Sequence, residues 1–186
     1  MFLRNEKILR RETTGLLIID IQEKILPVVV NPDMVVNNSV KLIRGFNILQ
    51  IPVLYTEQYP KGLGSTHKTI RDELIKSKLY IKMSFSCFGA EGLFSYLTNQ
   101  NVSQIVVAGI ESHVCVQQTV LDLLANGFRV NVAADAVSSR KEVDYSISLE
   151  RMRANGAEIT TTESILFELV TVSGTDEFRK ISALIK

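Results

Sequence analysis

Between residues 104 and 140 the sequence QIVVAGIESHVCVQQTVLDLLANGFRVNVAADAVSSR reads as strand, turn, helix and strand. Ile105, Val106, Val107 and Ala108 form a short apolar run closed by Gly109, the pattern of a parallel strand covered on both faces. Val116, Val120, Leu123 and Leu124 then recur at three- and four-residue spacing, which is one face of a helix. Asn126-Gly127 stops it, because glycine accepts the left-handed backbone of a helix C-terminus. Residues 128–134 are the next strand. Strands joined in this way lie parallel, and their crossovers are right-handed, which leaves few topologies.

The same alternation runs through the chain. Strands are expected at residues 15–20, 52–56, 79–82, 105–108, 128–134 and 158–161. Helices are expected to about Gln50 on the stripe Val36, Val40, Ile43 and Phe46, and then over 70–76, 89–100, 144–155, 163–170 and 177–185. Residues 22–31 and 57–69 are expected to be loops, on the strength of Pro27, Pro60, Gly62 and Gly64. The fold class is therefore α/β: three layers, with a six-stranded parallel sheet of Rossmann-like order 3-2-1-4-5-6 and helices on both faces. With 186 residues and no linker, repeat or low-complexity tract, residues 1–186 are expected to form one domain.

That topology opens a crevice at the carboxyl ends of strands 1 and 4. Asp20 ends strand 1, Cys115 lies just beyond strand 4, and Lys82 ends strand 3 on the same rim. Cys115 would enter the first turn of a helix, where unpaired N–H groups and the positive end of the dipole favour a thiolate. A free cysteine can equally be a small packed hydrophobe, and that is the role expected of Cys87. His113, two residues before Cys115, is expected to face away from it as a structural or substrate-gating residue. Gln22, Tyr59, Phe85, Phe88 and His113 are the candidates for the pocket border, although phenylalanines at such spacing also suit a core.

Several functions lose support. Strand 1 runs into Asp20-Ile-Gln-Glu rather than a Gly-x-Gly-x-x-Gly turn, so no dinucleotide cradle is expected, and no P-loop is present. Lysine plus arginine number 21 against 20 aspartates and glutamates, without the basic excess of a nucleic-acid binder. No apolar run approaches membrane-spanning length. Two cysteines without Cys-x-x-Cys spacing, and two separated histidines, suggest neither a disulfide framework nor a metal site. No cofactor is expected. The N-terminal residues carry charges of both signs and no signal-like apolar core, so a cytoplasmic location is expected.

The segments LLIIDIQ, KMSFSCF and GIESHVCVQQT resemble the three signature regions of the isochorismatase-like hydrolases, a family of cysteine hydrolases. TEQYPKGLG, ADAVSSR and ITTTESILFEL extend the likeness over nearly the whole chain, toward the branch of isochorismatase domain-containing proteins with unassigned substrate. The resemblance implies a catalytic triad of Asp20, Lys82 and Cys115, an oxyanion hole from the backbone N–H groups of Glu111 and Cys115, and a cis peptide at Ile110–Glu111. It also implies hydrolysis of a small amide or related C–N bond through a Cys115 acyl-enzyme, and a homo-oligomer. The metal-binding histidine pattern of nicotinamidases in this family is missing, since Glu57-Gln-Tyr-Pro-Lys stands in its place. Two alternatives stay open: a vinyl-ether hydrolase with Asp20 as acid and Cys115 dispensable, and a non-catalytic binding or scaffold protein.

Overall fold

Leu16 to Ile19 have no polar side chain and lie in the middle of the molecule, so the strand that carries them must be covered on both faces. A computed structural model describes residues 4–186 and places this strand, β1 (Thr14–Ile19), with all six residues buried. The helix α1 (Pro32–Ile48) follows and starts earlier than its apolar stripe, because Pro32 suits a helix's first turn. Next come β2 (Val53–Gln58), two one-turn helices α2 (Pro60–Leu63) and α3 (Lys68–Arg71), and β3 (Lys78–Lys82). The chain continues through α4 (Leu93–Asn99), β4 (Gln104–Ile110), α5 (Gln117–Ala125) and β5 (Arg129–Ser138). It closes with α6 (Glu142–Ala154), β6 (Glu158–Thr160), α7 (Thr162–Val170) and α8 (Asp176–Ile185).

The six strands form one sheet in the order β3-β2-β1-β4-β5-β6, every neighbouring pair parallel. Alternation along β1 divides the core. Leu16 and Ile18 pack with Leu42 and Phe46 of α1, Ile165 of α7 and Ile181 of α8. Leu17 and Ile19 face the other way, onto Leu93 of α4, Val120 of α5 and Met152 of α6. Each such fully buried aliphatic side chain stabilises the fold by about 1.5–3 kcal/mol relative to exposure.

Expected and observed elements differ where turn chemistry decides. The polar segment after β2 was expected to be a loop and holds α2, and the helix expected over 70–76 is instead the single turn α3, starting at Lys68 and ending at Arg71. The fourth helix begins at Leu93 rather than 89, preceded by a 3₁₀ turn at Cys87–Gly89 whose Ser86 hydroxyl accepts the Phe88 N–H at 3.1 Å. Strand β5 runs four residues past its expected end at 134 because its register against β4 shifts between Val107 and Gly109. At Gly109 the backbone of β4 nearly touches β1: a Cβ there would lie 2.4 Å from the Ile19 carbonyl oxygen. With φ +151° besides, only glycine fits, and just past it the ends of β1 and β4 give the crevice its floor.

Candidate active site

Asp20 leaves β1 in the left-handed region, φ +53°, with its N–H donating to the Thr56 carbonyl at 3.2 Å. The turn aims its carboxylate across the carboxyl end of β2. Oδ1 accepts the Thr56 hydroxyl at 2.7 Å, and Oδ2 accepts the Lys82 ammonium at 2.6 Å. Lys82, at the end of β3, gives its other two donors to the carbonyls of Phe85 (2.9 Å) and Ser84 (3.2 Å). Asp20 and Lys82 are 3% and 2% exposed. A buried pair this complete resists loss of one member, since an uncompensated charge typically costs about 3–5 kcal/mol.

Cys115 does not lie in an ordinary first helical turn. Residues Ser112–Val116 form a π-turn between β4 and α5, a wider coil that often marks functional sites. The Glu111 carbonyl accepts the N–H groups of Val114 (2.9 Å) and Val116 (3.3 Å), passing over that of Cys115 between them. The thiol donates to Oε1 of Gln58 at 3.1 Å. Burial, followed by the nearby Asp20 carboxylate, pushes the Cys115 thiol far above its ordinary range, and Lys82 pulls it only part of the way back. The expected helix-end stabilisation of a thiolate is therefore outweighed by desolvation and by Asp20. The resting group is a thiol beside a carboxylate.

Cys87 is wholly buried in the same apolar cluster, and burial followed by Asp20 pushes its thiol up to about 11. One hydroxyl links the two cysteine backbones: Thr119 donates to the Cys115 carbonyl (2.7 Å) and accepts the Cys87 N–H (2.9 Å).

The expected cis bond at Ile110–Glu111 is absent, as no peptide among the described residues is cis. The chain reverses instead at Glu111 itself, with φ +59° and ψ +58°. Arg140 fixes this residue through a fork, Nε to Oε1 at 3.2 Å and an Nη to Oε2 at 3.1 Å.

Other expected pocket residues fall into different places. Gln22 is a brace rather than a pocket wall. Its Oε1 accepts the Gln58 N–H (2.8 Å), and its Nε2 donates to the carbonyls of Gln58 (3.0 Å) and Gly64 (2.7 Å), leaving the side chain fully buried. His113 pairs with the Ser139 hydroxyl at 3.0 Å and lies 3.9 Å from the Asp144 carboxylate, so it forms no dyad with Cys115. Tyr59, Phe85 and Phe88 are about half exposed, at 48%, 54% and 59%, against the core preference of their type. Phe88 stands edge-on to Phe94, with ring centroids 5.3 Å apart. Thr56, Gln58 and Thr119 escaped the sequence reading, although Thr56, at the end of the expected second strand, could have been found from its register beside Asp20.

A metal of the kind held by nicotinamidases finds no ligand set after β2. Oε1 of Glu57 accepts both the N–H and the hydroxyl of Thr66, at 2.6 and 2.7 Å, and Gln58, Tyr59, Pro60 and Lys61 follow. No cluster of three or more His, Cys, Asp or Glu side chains suited to a metal occurs among the described residues.

The Isochorismatase domain profile matches residues 14–164, most of the chain and all of the strands that carry these groups. The chain belongs to the isochorismatase family. This isochorismatase-family hydrolase is 42% identical to isochorismatase family protein 1B of Dictyostelium discoideum, over 94% of this chain and 87% of that one. It is 38% identical to isochorismatase domain-containing protein 2 of Danio rerio, over 95% of this chain and 89% of the relative. Among solved structures, that of the MAR1 ribonuclease from Caenorhabditis elegans superposes with a TM-score of 0.89 at 35% identity, covering 95% of this chain and 91% of that one.

Proposed function

We propose that the protein is a cysteine hydrolase, one domain acting on a small amide or related C–N bond, with Cys115 as nucleophile, Asp20 as proton carrier and Lys82 as its partner. The observation that carries this reading is the placement of a buried, lysine-paired carboxylate beside a thiol that burial keeps protonated. Such a thiol attacks only if a base takes its proton in the same step, and Asp20 is the carboxylate that acts on it.

In the reaction, Sγ bonds to the substrate carbonyl carbon as its proton passes to Asp20. The N–H groups of Glu111 and Cys115 receive the developing oxyanion; the Cys115 N–H passed over by the Glu111 carbonyl supports that assignment. Collapse breaks the C–N bond, and Asp20 gives its proton to the departing amine. Water, deprotonated by Asp20, then attacks the thioester and releases the acid and the thiol. Lys82 holds Asp20 in place and offsets the charge that builds on sulfur.

A nuclease reading, prompted by the name of the C. elegans neighbour, gains little from this chain, whose 21 basic residues are balanced by 20 acidic ones. The vinyl-ether reading draws support from the same raised thiol, since it needs Asp20 alone.

Alkylation of each cysteine, followed by peptide mass spectrometry from pH 6 to 8, separates the readings without a known substrate. With Asp20 taking the proton internally, Cys115 reacts faster than Cys87 and at a nearly constant rate across this range. In Asp20→Asn the rate climbs about tenfold per pH unit, following the thiol's own titration. A Cys115 no more reactive than Cys87, with one profile in both proteins, removes the nucleophile and leaves the ether chemistry. Once a substrate is in hand, Asp20→Asn is expected to lower turnover by about 10²-fold or more.

A further inference from the structure

The cysteine mechanism just proposed needs the thiol proton to reach Asp20, and in the resting protein the Asp20 carboxylate and the side chain of Gln58 compete for that proton. The Gln58 carboxamide accepts it at 3.1 Å. We propose that Gln58 is a positioning residue that gates the nucleophile: its Oε1 holds the thiol proton away from Asp20 until the arriving substrate pushes the carboxamide aside. This inference rests on the cysteine-hydrolase reading.

The backbone at Gln58 is fastened on every side, which leaves the side chain as the movable part. Gln22 clamps both its N–H (2.8 Å) and its carbonyl (3.0 Å). The next residue donates its N–H to the Lys82 carbonyl at 3.0 Å, and Gln58 itself stands in register with Lys82 across β2 and β3. Nε2 of Gln58 bonds to no group among the described residues, so the thiol is the side chain's one tether and a single bond must break for it to swing. Gln22 is fully buried and two of its three side-chain bonds support this one position, the third reaching the Gly64 carbonyl at 2.7 Å, more polar groups than an ordinary surface glutamine would need.

The choice of residue fits a gate. A carboxamide oxygen is a weaker acceptor than a carboxylate, so it holds the proton only while nothing competes. Asp20 already accepts from Thr56 and Lys82, at 2.7 and 2.6 Å, and keeps acceptor capacity for the thiol once Gln58 departs. Charges bordering the thiol are paired, Asp20 with Lys82 and Glu111 with Arg140, which leaves the neutral Gln58 as the group whose release changes nothing else. The device keeps the thiol quiet in the absence of substrate.

Two measurements on Gln58→Met, which keeps the length and removes the acceptor, test this. The S–H stretching band is read by infrared difference spectroscopy against the wild type, where the Cys87 thiol contributes equally and cancels. The band is expected to move to lower frequency as the proton turns to the stronger acceptor, and this move is expected to vanish when Asp20→Asn is added. Alkylation of Cys115 by iodoacetamide at pH 7 is expected to quicken about fivefold, the equivalent of one ordinary hydrogen bond. Gln58→Glu, which keeps an acceptor and adds negative charge, is expected to slow it.

An unmoved band, a shift to higher frequency, or a Gln58→Met protein alkylated at the wild-type rate overturns the gate. If Asp20→Asn still changes the pH profile of Cys115 in that case, the nucleophile stands and Gln58 alone has failed. If Cys115 matches Cys87 in reactivity in the wild type and in Gln58→Met, both fall together.

Discussion

Cys87 shows how much a residue's surroundings can change ordinary chemistry. Its thiol is pushed up to about 11 from an ordinary value of 9.0, chiefly by burial. The unfolded chain therefore loses this proton first, between about pH 9 and 11, while the folded chain keeps it. The stabilising contribution is complete below pH 9 and declines as pH rises through this window, by an amount on the order of 3 kcal/mol at its end. Denaturant titrations at pH 8, 9, 10 and 11 are expected to show that decline, and a shallower one in Cys87→Ala; equal slopes in the two proteins would rule out this origin. At this scale the gathering of Asp20, Lys82 and Cys115 was legible because each stands at or just past the end of a strand on the same rim of a parallel sheet. Gln58 was not, because its partners Gln22 and Cys115 lie 36 and 57 residues away and meet it only through strand register. The direction of the Cys115 shift was also hidden, since a helix-end location says nothing about how much water the fold removes.

Among the elements, the end of β2 has the closest bracing. Gln22 satisfies three backbone groups there, two on Gln58 and one on Gly64. Gln22→Ala would leave these groups in a buried setting without partners, and we expect a loss of about 2–3 kcal/mol in chemical denaturation. The loosened strand end should also quicken proton exchange at the Gln58 and Tyr59 amides. Exchange there as slow as in the wild type would show that the ladder to β3 suffices. Element types and the strand order followed from apolar runs and helical spacing, which report burial directly. Boundaries were less readable where side chains make the turns: the Ser86 cap shortens the fourth helix from its N-terminal side, and the register shift at Gly109 lengthens β5. The reversal after β4 misled for a similar reason. A left-handed Glu111 held by Arg140 makes the bend, and that ion pair spans 29 residues.

At the scale of the whole molecule, the sheet is unevenly covered. Strand β3 lies at its edge, and Leu79, Ile81, Met83 and Phe85, at alternate positions, are exposed. Apolar side chains repeated along an edge strand and the turn just past it invite another protein surface, and we propose that a second copy of the chain covers them. Light scattering coupled to size exclusion is expected to report a multimer for the wild type and a smaller species for the double substitution Ile81→Lys, Met83→Lys. These side chains are exposed in the single chain, so its own stability should change by only about 0.5 kcal/mol. A wild-type mass of one chain would refute the association. Among the described residues no helix is long and apolar enough to cross a membrane.

The central order β3-β2-β1-β4 has a consequence for how the protein is made. Lys82, Gln58, Asp20 and Cys115 stand on or just beyond four neighbouring strands, although their positions in the chain run 20, 58, 82 and 115. During synthesis the carboxylate emerges first and the sulfur last, and the strand that delivers the sulfur docks on the side of β1 that β2 leaves open. A ribosome-bound chain thus carries Asp20 and Lys82 before it carries Cys115, the residue proposed above as nucleophile. Under the mechanism proposed above, no fragment that stops short of β4 can form the acyl-enzyme, and the Cys115 thiol meets Asp20 only in a nearly finished sheet.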